Sequence, residues 1–221
     1  MTENDLRDVA LRAGRDLEGA PAADVIRWAV ETFGERFAIA SSMETGLLAH
    51  LAGTAAPGVD VLFLDTGYHF AETIGTRDAV GAMYDVNVVT IRADLPDDRL
   101  YERDPDLCCR LRKVDPLDAA LAPYDAWASG VRRDESPARA VTPVVGWDAK
   151  RSMVKVNPIA AWTQAEADAY VAEHGIVRNL LLDDGYPSIG CAPCTRRVEP
   201  GADPRSGRWA GTGKTECGLH V

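Results

Sequence analysis

The chain has 221 residues, 46% hydrophobic and 26% charged, with 24 basic against 34 acidic side chains and a formal net charge of −10. That composition suits one globular domain with a sizeable core and argues against disorder over most of the length. No stretch approaches the ~20 apolar residues that cross a bilayer, the start MTENDLRDVALRAGRDLEG lacks the apolar segment of a leader, and acidity disfavours non-specific nucleic-acid binding.

Leu6, Val9, Ala10, Ala13 and Leu17 recur at helical spacing, and Pro21 opens a second helical run through Val25, Trp28, Ala29 and Phe33 that Gly34 closes. A short buried strand is predicted at 36–42 and further strands at 59–65 and 86–92, with helices at 44–53 and 69–84 between them. Apolar strands alternating with helices imply an α/β domain with a parallel sheet built from βαβ units. Ligands of such sheets lie at the carboxyl ends of strands near a topological switch point, which here means Ser41 and Ser42 after one strand and Asp65, Thr66 and Gly67 after the next. Beyond residue 92 the pattern loosens. Helix is expected again around 106–122, short strands near 124–128 and 153–156, and Thr163 with Glu166 makes a capping box for a helix reaching about His174. From Pro200 onward the residues are Gly, Arg and polar without periodicity. They read as a mobile arm, dividing the chain into a domain of 1–199 and an arm of 200–221.

Cysteine carries the sharpest signal. There are five, at 108, 109, 191, 194 and 217, in a chain with no export signal, so metal ligation or redox chemistry fits better than a disulfide framework. Cys108 and Cys109 with Cys191 and Cys194 offer four thiolates from two loops, suited to zinc or an iron–sulfur cluster. A vicinal pair fits poorly to a zinc knuckle and better to a [4Fe–4S] cube, in which each cysteine binds a different iron. Zinc and incidental buried thiols are the alternatives. Cys217 stands apart in KTECGLHV and is either an inert lone thiol or a nucleophile, the second reading favoured by the positive and polar character of nearby Lys214 and His220. Arginines cluster beside these cysteines: Arg110, Arg112 and Lys113, then Arg132 and Arg133, then Arg196, Arg197, Arg205 and Arg208. Any one could be a surface ion pair, but guanidinium forks drawn together would suit phosphate or sulfate. SSMET at 41–45, between a strand and a helix, is either an anion cradle or an ordinary cap.

Taken together, LDTGYHFAET, CCRLRKVDPL, ASGVRRDESPARA, VKVNPIAAW, YPSIGCAPCTRRVEPGADPRSGRW and KTECGLH resemble the assimilatory adenylylsulfate (APS) reductases, the cluster-containing branch of the sulfonucleotide reductases. The resemblance implies a PP-loop, adenine nucleotide α-hydrolase-like fold, and reduction of APS to sulfite and AMP with electrons from thioredoxin. It assigns Cys217 as the nucleophile that carries an S-sulfo intermediate, and Cys108, Cys109, Cys191 and Cys194 as ligands of a [4Fe–4S] cluster. It places Lys113 between cluster and substrate, Arg132, Arg205 and Arg208 on the phosphosulfate, and Ser41, Ser42 and the Leu64–Gly67 turn on the adenosine and its phosphate. A cytoplasmic location is expected, with homo-oligomerisation left open. The chain departs from many relatives in the short AGTGKT between Trp209 and ECGLH, so Glu216 and His220 stand only as candidate helpers of the thiol. Phosphoadenylylsulfate (PAPS) reductases share the fold and tail chemistry but lack the cluster cysteines; PAPS reduction or dual specificity is the alternative. A tRNA-thiolating PP-loop enzyme is disfavoured because SSMETG is no SGGxDS loop, and a zinc-stapled binding module would be colourless.

Overall fold

The computed structural model describes residues 1–212, 214 and 216–219. His220, a candidate helper of the thiol, lies outside them. Among the described residues a six-stranded sheet runs in the order β3-β2-β1-β4-β6-β5. Its strands are β1 (Phe37–Ala40), β2 (Val59–Asp65), β3 (Val86–Arg92), β4 (Ala126–Ser129), β5 (Val145–Asp148) and β6 (Met153–Val156). The helices are α1 (Glu3–Asp16), α2 (Ala22–Phe33), α3 (Leu47–Ala55), α4 (Ala71–Met83), α5 (Leu100–Arg103), α6 (Pro105–Cys109), α7 (Asp115–Leu121) and α8 (Gln164–Glu173). None of them is long and apolar enough to cross a membrane.

The parallel βαβ reading holds for β1, β2, β3, β4 and β6. It needs one addition, because β5 is an antiparallel edge strand paired to β6 with Val145 opposite Val156. Residues 149–152 turn the chain between them, and Ser152 takes a left-handed φ of 52° there. Helix α1 packs on this edge. Gly14 permits the approach, since a Cβ there would stand 2.6 Å from the Val145 carbonyl oxygen.

Strand alternation divides the side chains between two faces. Ile39, Val61, Phe63, Ala128, Val154 and Val156 point into a large core with Leu6 of α1, Val25 and Ile26 of α2, Leu47 and Leu51 of α3, Val80 of α4 and Ala167 of α8. Ala38, Leu62, Trp127 and Met153 point the other way, where Leu117 and Leu121 of α7 meet them in a much smaller cluster. The second face is thus only partly covered, and the remainder is open to a cleft.

The site is placed by topology. From β1 the chain steps outward through β2 to β3, then returns to lay β4 against the opposite side of β1. The switch point therefore lies between β1 and β4, and their carboxyl ends deliver Ser41 and Ser42 on one side and Gly130 to Arg132 on the other.

Candidate active site

A cleft of about 1100 Å³ opens at that switch point. Ser41, Ser42, Glu44, Leu64, His69, Lys113, Trp127, Arg132, Arg139, Arg205, Arg208, Glu216 and Cys217 are among its lining residues. Ser41 shapes its own loop: its Oγ accepts the Met43 N–H at 3.3 Å, and the buried Met43 takes a left-handed φ of 58°. Ser42 is exposed. Of the Leu64–Gly67 turn expected on the nucleotide, Leu64 lines the cleft, whereas Asp65, Thr66 and Gly67 do not. Strand β2 lies one position away from the switch point, and the turn after it faces elsewhere. Asp65 Oδ1 accepts the Gly67 N–H at 2.9 Å, and the buried Thr66 Oγ1 lies 3.2 Å from Cys191 Sγ.

Thr66 thereby joins a second cavity, lined also by Cys108, Cys109, Lys113, Cys191, Cys194, Arg208 and Trp209. Two local structures deliver the four cysteines. Cys108 and Cys109 end α6, whose N-terminus is capped by Asp104 accepting from the Leu107 N–H at 2.8 Å. The helix then widens into a π turn, Arg110–Val114, just ahead of Pro116, whose ring cannot follow an ordinary α-helical turn. Cys191 and Cys194 flank a tight turn tied to the end of β2 by Ala192 N–H donating to Tyr68 O at 2.7 Å. Trp209 N–H donates to Cys194 O at 2.9 Å and Arg196 N–H to Gly207 O at 2.9 Å. The start of the sequence-defined arm is therefore hydrogen-bonded onto the CAPC turn, and Trp209 is buried.

The sulfurs crowd one another electrostatically. Burial, reinforced by Cys109 and Cys191, pushes the Cys108 thiol up to about 11. Burial likewise raises Cys109, against the pull of Lys113 and Lys214, and raises Cys194 with help from Cys191. Four thiols gathered this way are costly as thiolates unless a cationic group takes them, and an all-sulfur donor set fits an iron–sulfur cluster or zinc. Among the described residues no group of three His, Cys, Asp or Glu side chains is spaced to grip a single metal ion.

Lys113 stands between the two cavities and lines both. Burial pulls its ammonium pKa down, but Cys191, Cys217 and Cys109 pull harder the other way and the net shift is upward. Arg208 also lines both. Its Nη1 donates to Ser188 Oγ at 3.1 Å and Ile189 O at 3.2 Å, and the guanidinium lies 4.7 Å from the Trp209 ring centroid. Arg132 is held by its acidic neighbours, with Nε 3.2 Å from Asp134 Oδ1, and Arg205 Nη2 lies 3.3 Å from Glu216 Oε2. Arg112 and Arg133 line the second cavity and the cleft respectively and are also tied into the fold. Arg112 is buried over the Tyr68 ring and donates to Thr66 O at 3.2 Å, while Arg133 ties to Glu18 and to Thr142 O.

Three further site residues lie inside the quoted motifs, where nothing in the sequence marks them individually. Glu44 Oε2 accepts the Ile189 N–H at 2.9 Å, and burial pushes its carboxyl pKa up despite that bond and the nearby Arg208. His69 Nε2 donates to Leu64 O at 2.8 Å, burial lowers the ring's pKa, and Nδ1 has no partner among the described residues. Gly190 gives Arg208 its place, since a Cβ there would stand 2.7 Å from the guanidinium carbon. Because the obstructing atoms end a flexible side chain, Gly190→Ala should displace Arg208 and spare the fold. Activity is expected to fall about 10²-fold with Tm lowered by less than about 4 °C; a large Tm loss with unchanged specific activity would reverse that reading.

A family model described as the phosphoadenosine phosphosulfate reductase domain matches residues 36–197. The adenosine 5'-phosphosulfate reductase of Streptomyces coelicolor is 61% identical, across 99% of this chain and 96% of that protein. The protein of the same name from Mycobacterium tuberculosis is 46% identical, across 100% of this chain and 97% of that one. Among solved structures, a phosphoadenylyl-sulfate (PAPS) reductase from Candida auris superposes with a TM-score of 0.72 at 26% identity, covering 86% of this chain and 96% of that one. An FMN adenylyltransferase from Candida glabrata, at 11% identity and a TM-score of 0.58 over 83% of this chain and 69% of that one, shares the fold.

Proposed function

The chain belongs to the phosphoadenosine phosphosulfate reductase family, and from that premise we propose that it reduces APS to sulfite and AMP, with reduced thioredoxin as the electron donor. The observation that carries this is the position of Lys113, which lines both the cleft that holds Cys217 and the cavity that holds Cys109 and Cys191. Four cysteines line one cavity and Cys217 the other, with the cations Lys113 and Arg208 lining both.

In this reading the adenosine and its phosphate lie along Ser41, Ser42 and Leu64, and the sulfate end reaches Lys113, Arg208 and Arg205. Cys217 Sγ, as thiolate, attacks the sulfur of the sulfate group. The S–O bond to the phosphate breaks and AMP departs with the electron pair, leaving S-sulfo-Cys217. Negative charge grows on both sides of the breaking bond, where the fixed cations Lys113 and Arg208 offset it without reorganising. A thioredoxin thiolate then attacks Cys217 Sγ and sulfite leaves with the S–S electron pair. The second thioredoxin thiol resolves the mixed disulfide and returns Cys217 as thiolate. The two electrons come from the dithiol, so the other cysteines take no part in the electron balance.

Cys108, Cys109, Cys191 and Cys194 would hold the [4Fe–4S] cluster. When bound, it would supply a fixed charged node that keeps Lys113 poised toward the cleft. We expect protein purified without oxygen to be brown, with absorption near 400 nm and about four irons and four sulfides per chain; stoichiometric zinc in colourless, active protein would remove the cluster. The substrate is tested by kcat/KM, with APS expected to exceed PAPS, and a clear preference for PAPS would move the assignment to its nearest rival.

A further inference from the structure

We infer that Arg139 is a positioning residue for Cys217 that acts through Glu216. Arg139 Nε and Nη2 donate to the two Glu216 carboxylate oxygens at 3.1 and 2.8 Å, a fork on a fork, and Arg205 Nη2 adds a contact to Oε2 at 3.3 Å. The opposite edge of the Arg139 guanidinium is fixed by Nη1 donating to Glu135 Oε2 at 2.6 Å, and Glu135 Oε2 also accepts the Arg132 N–H at 2.9 Å. The Arg139 side chain is 12% exposed and that of Glu216 17%, so the pair is shielded far more than a surface salt bridge.

Two things follow from Glu216 preceding Cys217. Seating the carboxylate fixes the thiol to within one residue's reach of chain. The next anchor comes two residues later, where Leu219 O accepts from Arg151 Nη1 at 3.2 Å. Further, a carboxylate beside a nucleophile that must approach a phosphosulfate would repel its substrate unless neutralised. Arg139 and Arg205 neutralise it. Arg205, expected from sequence on the substrate alone, is thereby shared between the anion and the arm.

This assignment rests on Cys217 as nucleophile, and the test separates the two. In full-chain protein purified with its cluster, Arg139→Ala should slow single-turnover formation of S-sulfo-Cys217 from APS about 10²-fold, because small misplacement of a reacting atom costs that much. AMP affinity should change less than about twofold, and tryptic cleavage after Lys214 should accelerate about tenfold as the arm is released. Arg139→Lys, a point charge without the fork, should recover only a minor part of the rate. In a Glu216→Ala background, Arg139→Ala should cost less than about twofold further, since its partner is gone. An equal loss in both backgrounds, or weakened AMP binding with unchanged cleavage, would make Arg139 a substrate ligand and overturn the inference. If Arg139→Ala does not fold, Glu216→Gln on the arm must reproduce the faster cleavage and slower sulfonation, and failure there overturns it equally. Absence of S-sulfo-Cys217 in the unaltered protein would refute the nucleophile, while the cleavage rates would still report on the clamp.

Discussion

Cys217→Ser should abolish turnover, with kcat lowered by at least about 10⁴-fold, while AMP still binds and any cluster colour is retained. A serine hydroxyl is far less nucleophilic than a thiol at neutral pH, and a sulfated serine would not yield sulfite to a dithiol, so neither half of the reaction survives. Binding should persist because Cys217 is one half-buried residue of the cleft lining, and the walls from β1 and β4 do not depend on it. Cys108, Cys109, Cys191 and Cys194 face the neighbouring cavity and cannot substitute. Measuring AMP release and sulfite release separately in the variant checks both halves; sulfite production at a rate near that of the unaltered protein would place the nucleophile elsewhere.

Lys113→Ala carries the second large effect. Lys113 lines both cavities and its charge is felt by Cys217, Cys109 and Cys191, and an alanine leaves the sulfate end with one fixed donor fewer. Removing one preorganised donor of this kind costs about 10²–10³-fold in the chemical step. The loss should fall on kcat for sulfite formation, with AMP affinity nearly unchanged, because AMP lacks the transferred group. Lys113→Arg should recover little, since a planar fork cannot occupy the space of a compact ammonium between two cavities. Equal losses of kcat and AMP affinity would instead assign Lys113 to the nucleotide phosphate.

How much of this could be read from the sequence differs residue by residue. Strands β2 (VDVLFLD) and β3 (VNVVTIR) are rich in β-branched and other apolar residues between turn residues and fall at the predicted 59–65 and 86–92. The Thr163 and Glu166 capping box needs four residues and no tertiary partner, and it forms, with Glu166 Oε2 accepting the Thr163 N–H at 2.7 Å. Strand β5 was invisible because VGWD has neither a strand-like run nor a clean alternation, and its register comes from pairing with β6. Cysteines advertise their chemistry by identity and spacing, so the candidate quartet and the fifth thiol were legible. Ion pairs do not advertise themselves: Glu216 and Arg139 are 77 positions apart, and only the fold brings that arginine, rather than any other, to the carboxylate. Gly190 is silent for the same reason, as the atom it makes room for belongs to Arg208. Thr66, which the resemblance puts on the nucleotide, follows β2, one strand removed from the switch point, and its contact with Cys191 Sγ at 3.2 Å is visible only in the fold.

The division of sulfurs can be read directly by mass. Protein incubated with APS in the absence of any reductant, then digested, should carry one added SO₃, about 80 Da, on the peptide containing Cys217, in step with one AMP released per chain and reversed by reduced thioredoxin. AMP release with Cys217 unmodified, or the same mass on Cys108, Cys109, Cys191 or Cys194, would contradict the account.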